Sequence, residues 1–331
     1  MKRKSVTSVQ APSAIVMVRP HHFTVNTETA VDNSFQSVSV PDAMHMEHVY
    51  SEVSVAALCL ADHGVVVHLF EDKGKATPDS VFPNNWFSTH AGGHVAVYPM
   101  KSLNRRLERR QDVLQMLKSE YRVQDVIDYS GLEEDMIYLE GTGAMVLDHI
   151  DRVAYAVASD RTNPIALERF CTHFNFEPMA FNAVDDNGIA VYHTNVLMCI
   201  ATEFALVGLD MIADAARKAE IVSRLENSGR DVIALTNKQI SSFAGNAIEL
   251  QGAAGRILAL SNTAYDSLTT EQVALMEQSL KLVPLHIPTI ELAGGSVRCT
   301  IAGIHLTPRG KSHSLEYLSL YAQQFESEHS G

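Results

Sequence analysis

The chain has 331 residues, 46% apolar and 20% charged, which is enough apolar content for a sizeable core in one large domain or two. A net charge of −13 excludes a non-specific nucleic-acid binder, which needs basic surface to displace counterions, and the local basic run Arg105, Arg106, Arg109 and Arg110 reads as a solvated helix face. The basic Met1–Lys4 start leads into polar sequence, and no run approaches the ~20 apolar residues of a membrane span, so a cytoplasmic location without membrane or nucleic-acid partners is expected.

In chain order, residues 1–12 read as a flexible tail, followed by strands at 14–18 and 65–70. The stretch Phe82-Pro83-Asn84-Asn85-Trp86 sets two amides beside the only Trp, ahead of a strand at 94–98, a helix near 104–119 and a strand at 123–127. From there a β-hairpin, a helix and another strand recur. One copy uses 145–147, 153–157, 164–174 and 178–181. The next uses 196–200, 204–207, 211–227 and 231–235. A third uses 247–251, 256–260, 270–280 and 282–287.

The first strands start at 145, 196 and 247, a step of 51 residues each time. A fixed period marks a repeat array. With 304–307 joining the N-terminal strands, the pattern predicts five ββαβ modules around a pseudo-symmetry axis in a single domain, 13–323, before a polar tail at 324–331. A doubly wound sheet would want βα alternation and a Gly-rich first turn, and neither is evident.

The loop before each first strand should converge on one end of that axis. These loops hold Asn84 and Asn85; Glu140 in Leu139-Glu140-Gly141-Thr142-Gly143; His193 and Asn195 in Tyr192-His193-Thr194-Asn195; Ser242–Asn246; and Cys299 after Gly294-Gly295-Ser296-Val297-Arg298. An acid, an imidazole and a thiol are the set that nucleophilic catalysis needs. Each also has a plain structural reading. There is no CxxC pair, and Cys59, Cys171 and Cys199 lie in apolar runs as small core residues. Cys299 differs, because the Arg298 charge beside it would help stabilise a thiolate. The glycines around Glu140 suggest backbone kept clear for a ligand.

The motifs "PNNW", "LEGTG", "HTN" and "RCTIAGIHL" resemble those of the guanidine-modifying, or pentein, superfamily, and most of all its citrulline-utilisation, arginine-deiminase-related branch, across Met17 to Leu306. The resemblance implies the pentein five-bladed α/β propeller, with Cys299 as nucleophile, His193 as acid and base, and Glu140 holding substrate nitrogens and His193. It implies neither metal nor organic cofactor. Arginine deiminases have aspartates where this chain has Asn85 and Asn195. An amide both donates and accepts, which suits an uncharged ureido group. The expected activity is therefore hydrolysis of a C–N bond in a small ureido or guanidino amino acid, with citrulline giving ornithine, carbon dioxide and ammonia. The alternatives are an arginine deiminase-like or dimethylarginine hydrolase-like enzyme, an amidinotransferase, or a non-catalytic binding scaffold. Asn84 shares the Asn85 loop. Arg161 resembles the arginine that grips the substrate α-carboxylate and reads equally as a helix flank; Arg298 and Arg105 or Arg106 are further choices. Asp79 is a substrate contact or a turn residue. A homo-oligomer is left open.

Overall fold

In the computed structural model the repeat becomes five three-stranded sheets, each with the same internal order. The structure describes residues 10–24, 26–29 and 43–310. In every sheet a first strand pairs antiparallel with the middle strand, and a third strand lies parallel on its far side. The second to fifth sheets are Phe87–His90, His94–Val97, Asp125–Asp128; Met145–Asp148, Val153–Val157, Glu177–Phe181; Met198–Ile200, Phe204–Val207, Asp231–Ala234; and Ile248–Gln251, Arg256–Ser261, Lys281–Leu285. The remaining sheet is built across the ends of the described chain from Ala302–Ile304, Ala14–Pro20 and Val66–Asp72.

A parallel third strand requires a crossover, and a helix supplies it in each unit. These are Ala43–Asp62, Gln111–Glu120, Pro164–Phe174, Ala215–Asn227 and Thr270–Met276. Their starts are written in the sequence. The Asn163 side chain accepts from Ile165 N ahead of Pro164, Asp214 accepts from Ala216 N and Arg217 N, and Thr269 forms a capping box with Gln272. No helix among the described residues is long and apolar enough to cross a membrane.

The structure departs from the sequence expectations in several places. The 20-residue helix Ala43–Asp62 was not anticipated, although Val49, Val53, Ala56, Ala57 and Leu60 are its buried positions at helical spacing. Exposed Val55 and Leu58 on the other face blur that stripe. The helix expected at 104–119 breaks into Leu103–Arg106 and Gln111–Glu120. The expected tail 1–12 is ordered at its end, because Gln10 Nε2 donates to Leu147 O (3.0 Å) and Ile200 O (2.9 Å) from a buried position. Residues 1–9 and the expected tail 324–331 lie outside the described residues.

The first strands of all five sheets line one cavity of about 50 Å³, contributing Phe87 to Thr89, Val146 and Leu147, Met198 to Ile200, Ile248 and Glu249, and Ala302 and Gly303. Beside it His90, 1% exposed, packs against Phe170, Phe174 and Phe176, and its Nε2 meets Ser88 Oγ at 2.7 Å. Burial, then the charges of His305, Arg152 and His94, hold the His90 imidazole well below its usual range.

A depressed histidine favours the neutral form in the folded state. Its contribution is complete above the unfolded value near 6.5 and is lost as pH falls toward the folded value. The unfolding free energy from urea titration should therefore drop between roughly pH 8 and pH 5, by up to about 1.4 kcal/mol per pH unit for each such group. In His90→Phe that slope should be shallower; an identical pH slope in the two proteins would show that His90 does not titrate on unfolding.

Candidate active site

The loops that precede the first strands meet at a small pocket of about 20 Å³, lined by Asp79, Asn85, Arg105, Arg161, His193 and Cys299 together with Phe82, Tyr192 and small residues. Behind it lies Glu140, fully buried at the N-cap of the short helix Gly141–Ala144. Glu140 Oε2 is 2.9 Å from His193 Nε2, 3.5 Å from Arg161 Nη1 and 3.8 Å from Arg105 Nη1. Its Oε1 accepts from Lys101 N at 3.1 Å. Burial alone would raise this carboxyl, but Arg161, the hydrogen bond and charge of His193, and Arg105 outweigh it and hold Glu140 well below the usual carboxylate range.

An ionised carboxylate only accepts, so His193 presents Nε2–H to it and keeps Nδ1 as the basic nitrogen of the neutral ring. His193 titrates below its usual value. Burial is the main cause and Glu140 opposes it, while Arg161 and Arg105 add to the lowering.

Both glycines of Leu139-Glu140-Gly141-Thr142-Gly143 are sterically required. At Gly141, in the left-handed region (φ +48°), a Cβ would lie 2.4 Å from Asn84 O. At Gly143 it would lie 2.2 Å from Asn85 Nδ2 and 2.8 Å from His193 Nδ1. The clearance expected for a ligand is thus occupied by the protein's own loop and imidazole.

Cys299 is buried in the turn after Gly294 and Gly295, and its N–H donates to Ser296 O at 3.0 Å. Two amides donate to its sulfur, Asn195 Nδ2 and Asn246 Nδ2, each at 3.2 Å. Asn246 Nδ2 also donates to Asn195 O, a carbonyl that can only accept, and this fixes the orientation of the amide. Two N–H donors at this distance orient the sulfur they touch. The other buried thiols, Cys171 and Cys199, are pushed up to about 12, by burial first and then by Glu168 and Glu249 respectively; Arg298 partly opposes this at Cys199.

Asn85 Oδ1 accepts from Arg105 Nη1 at 2.9 Å. A guanidinium only donates, so the Asn85 Nδ2 donor is left to face inward, and it has no partner among the described residues. Asn195 Oδ1 likewise has none. Asn84, fully buried, leaves both side-chain polar atoms unpartnered and does not line the pocket. Asp79 lines the pocket but already accepts from Asn26 Nδ2 (2.8 Å) and Thr29 Oγ1 (3.3 Å), with Arg105 Nε 3.6 Å away. Arg161 lines it too, 5.0 Å over the Tyr192 ring. Among the described residues no three His, Cys, Asp or Glu side chains form a metal-ligating group.

Three expectations need correction. Arg105, 2% exposed and paired with Glu108, faces the site, so the basic run is not a solvated face. Arg106 turns away, donating to Met100 O and pairing with Glu133. Arg298 donates to Ile301 O and lines the inter-sheet cavity, not the pocket. Asn246 was visible in the sequence only as a loop residue, with no signal for its contact with the sulfur.

A family model described as N,N dimethylarginine dimethylhydrolase, eukaryotic, matches residues 19–306. No curated protein matches the sequence at a significant level. Among solved structures, the chain is similar to ArgZ, an arginine dihydrolase from the ornithine-ammonia cycle in Cyanobacteria, with TM-score 0.70 and 17% identity over 90% of this chain and 41% of that one. It covers 97% of the N-terminal domain of ArgZ bound to substrate, with TM-score 0.67 and 17% identity. A dimethylarginine dimethylaminohydrolase adduct matches with TM-score 0.60 and 14% identity over 88% of this chain and 100% of that one. The chain thus spans about two fifths of full-length ArgZ.

If the amide donors hold the sulfur as an anion, Asn246→Ala should slow iodoacetamide alkylation of Cys299 about tenfold at neutral pH, the effect of one lost hydrogen bond to a charged group. Peptide mass spectrometry separates Cys299 from the other three thiols. An unchanged rate would mean the contact does not stabilise the thiolate.

Proposed function

Because the chain belongs to the N,N dimethylarginine dimethylhydrolase family, within the pentein guanidine-modifying superfamily, we propose that it is a cysteine-dependent hydrolase of a C–N bond in a ureido or guanidino amino acid, and specifically that it takes citrulline. Five like sheets around one cavity support the five-bladed arrangement of that superfamily. Cys299 Sγ attacks the central carbon as its thiol proton passes to His193 Nδ1, and His193 then gives that proton to the departing amine, whichever of the two C–N bonds breaks first. His193 then takes a proton from the water that resolves the adduct. Glu140 keeps the imidazole oriented and stabilises it when charged. Water, citrulline and nothing else balance ornithine, carbon dioxide and ammonia.

The observation that carries the ureido reading is the Asn85 amide, locked by Arg105 so that an N–H donor faces inward. A donor suits a carbonyl oxygen; a guanidinium, which only donates, would leave it unsatisfied. Asn195, whose Oδ1 has no partner among the described residues, does not line the pocket, so the ureido reading rests on Asn85. Glu140 is already committed to His193 and two arginines, and one oxygen of Asp79, Oδ2, to Asn26 and Thr29. Arg161 is placed to meet an α-carboxylate.

A second reading, favoured by the similarity to an arginine dihydrolase, is hydrolysis of arginine through both C–N bonds at this site. Ammonia and ornithine released from citrulline, arginine and dimethylarginine separate the two. The proposal expects one ammonia per ornithine from citrulline and at least tenfold lower kcat/KM on the guanidines. Two ammonia per ornithine from arginine at comparable rate would favour the second reading. Cys299→Ser should abolish turnover on every substrate. Asn85→Asp should shift preference toward guanidines by about tenfold or more, since an acceptor replaces the donor; an unchanged preference would refute the role given to Asn85.

A further inference from the structure

The cavity between the five first strands shares no lining residue with the substrate pocket. Arg298 reaches into it from the residue before the nucleophile, donating from Nη1 to Ile301 O and pairing with no carboxylate among the described residues. Burial lowers the Arg298 guanidinium, opposed only by Cys299 and Cys199. His149 and His305 stack beside it with ring centroids 3.8 Å apart, and no hydrogen bond joins the His149 ring to another described residue. Glu249 is the carboxylate of the lining, and it is turned elsewhere. Its Oε2 accepts from Thr202 N (2.9 Å) and Oγ1 (2.7 Å), and its Oε1 is 3.3 Å from Arg256 Nη1. Burial first, then the neighbouring His305, His90, Arg152 and Arg298, none of them an acid, hold His149 well below its usual range.

Arg298 is half-buried, and a cation in a confined cavity with no carboxylate paired to it attracts an anion. We propose that this cavity binds one small monovalent inorganic anion, of halide or nitrate size, held by the Arg298 guanidinium and an N–H of His149. At about 50 Å³ the space admits a few water-sized groups, which suits one small anion. The proposal does not depend on which substrate the neighbouring pocket takes.

The test uses the full chain. Crystals soaked in sodium bromide should show an anomalous bromide peak beside Arg298. In solution, bromide or chloride should raise Tm by roughly 2 °C over sodium gluconate at equal ionic strength, as about tenfold saturation of one site would. Both effects should vanish in Arg298→Gln; should that variant not fold, His149→Gln takes its place. Absence of bromide density in the cavity, equal Tm in halide and gluconate, or effects that persist in a folded variant would each overturn the proposal.

Discussion

One buried negative charge organises the site. Glu140 has no exposed surface, and it stays ionised because Arg161, Arg105, His193 and the Lys101 amide together replace the water it has lost. Its position sets the His193 tautomer, and it draws in Arg105, which in turn fixes which end of Asn85 faces the pocket. Removing this carboxylate would take one counter-charge from each of two buried guanidiniums, of which Arg105 keeps Glu108 and Asp79, and would leave the imidazole without orientation.

The repeat explains how Asn85, Glu140, His193, Asn246 and Cys299, from five distant loops, come together at one site. Each module ends its preceding loop at the same point of a first strand, so like positions in different modules converge, and the chemistry differs only by what each loop carries. Asn195 and Asn246, 51 residues apart, show this directly: one repeat step separates them and both amides reach the same sulfur. The glycines serve the same geometry, since Gly141 and Gly143 let the Asn84–Asn85 turn and His193 approach within distances a Cβ would forbid.

Much of this was legible in the sequence. Apolar strand runs, a helix-spaced segment after each hairpin and the 51-residue step were enough for the hairpin–helix–strand modules, and the convergence of their loops singled out Glu140, His193 and Cys299. The losses have physical causes. Adjacent residues on a helix point about 100° apart, so composition could not decide that Arg105 enters the site and Arg106 leaves it. Arg298 and Cys299 are neighbours in sequence yet face different cavities, because the turn carrying them reverses the chain there. The helix Ala43–Asp62 carries apolar residues on its exposed face as well, and that masked a stripe otherwise at regular spacing. No sequence signal distinguishes the Asn246 contact, which exists only once two modules are side by side.

Asn84 and Asn85, the paired amides in an apolar stretch, divide accordingly: Asn85 belongs to the pocket, and Asn84 is buried behind it with the turn. The central claim is that Cys299, poised by amide donors and the Glu140–His193 pair, forms a covalent bond to the substrate's ureido carbon. The most direct measurement is peptide mass spectrometry of the full chain, acid-quenched during turnover of carbon-labelled citrulline. The account predicts label on Cys299, as a carbamoyl group or as the ureido amino acid less ammonia. Turnover with label absent from Cys299, or carried by another residue, would contradict it.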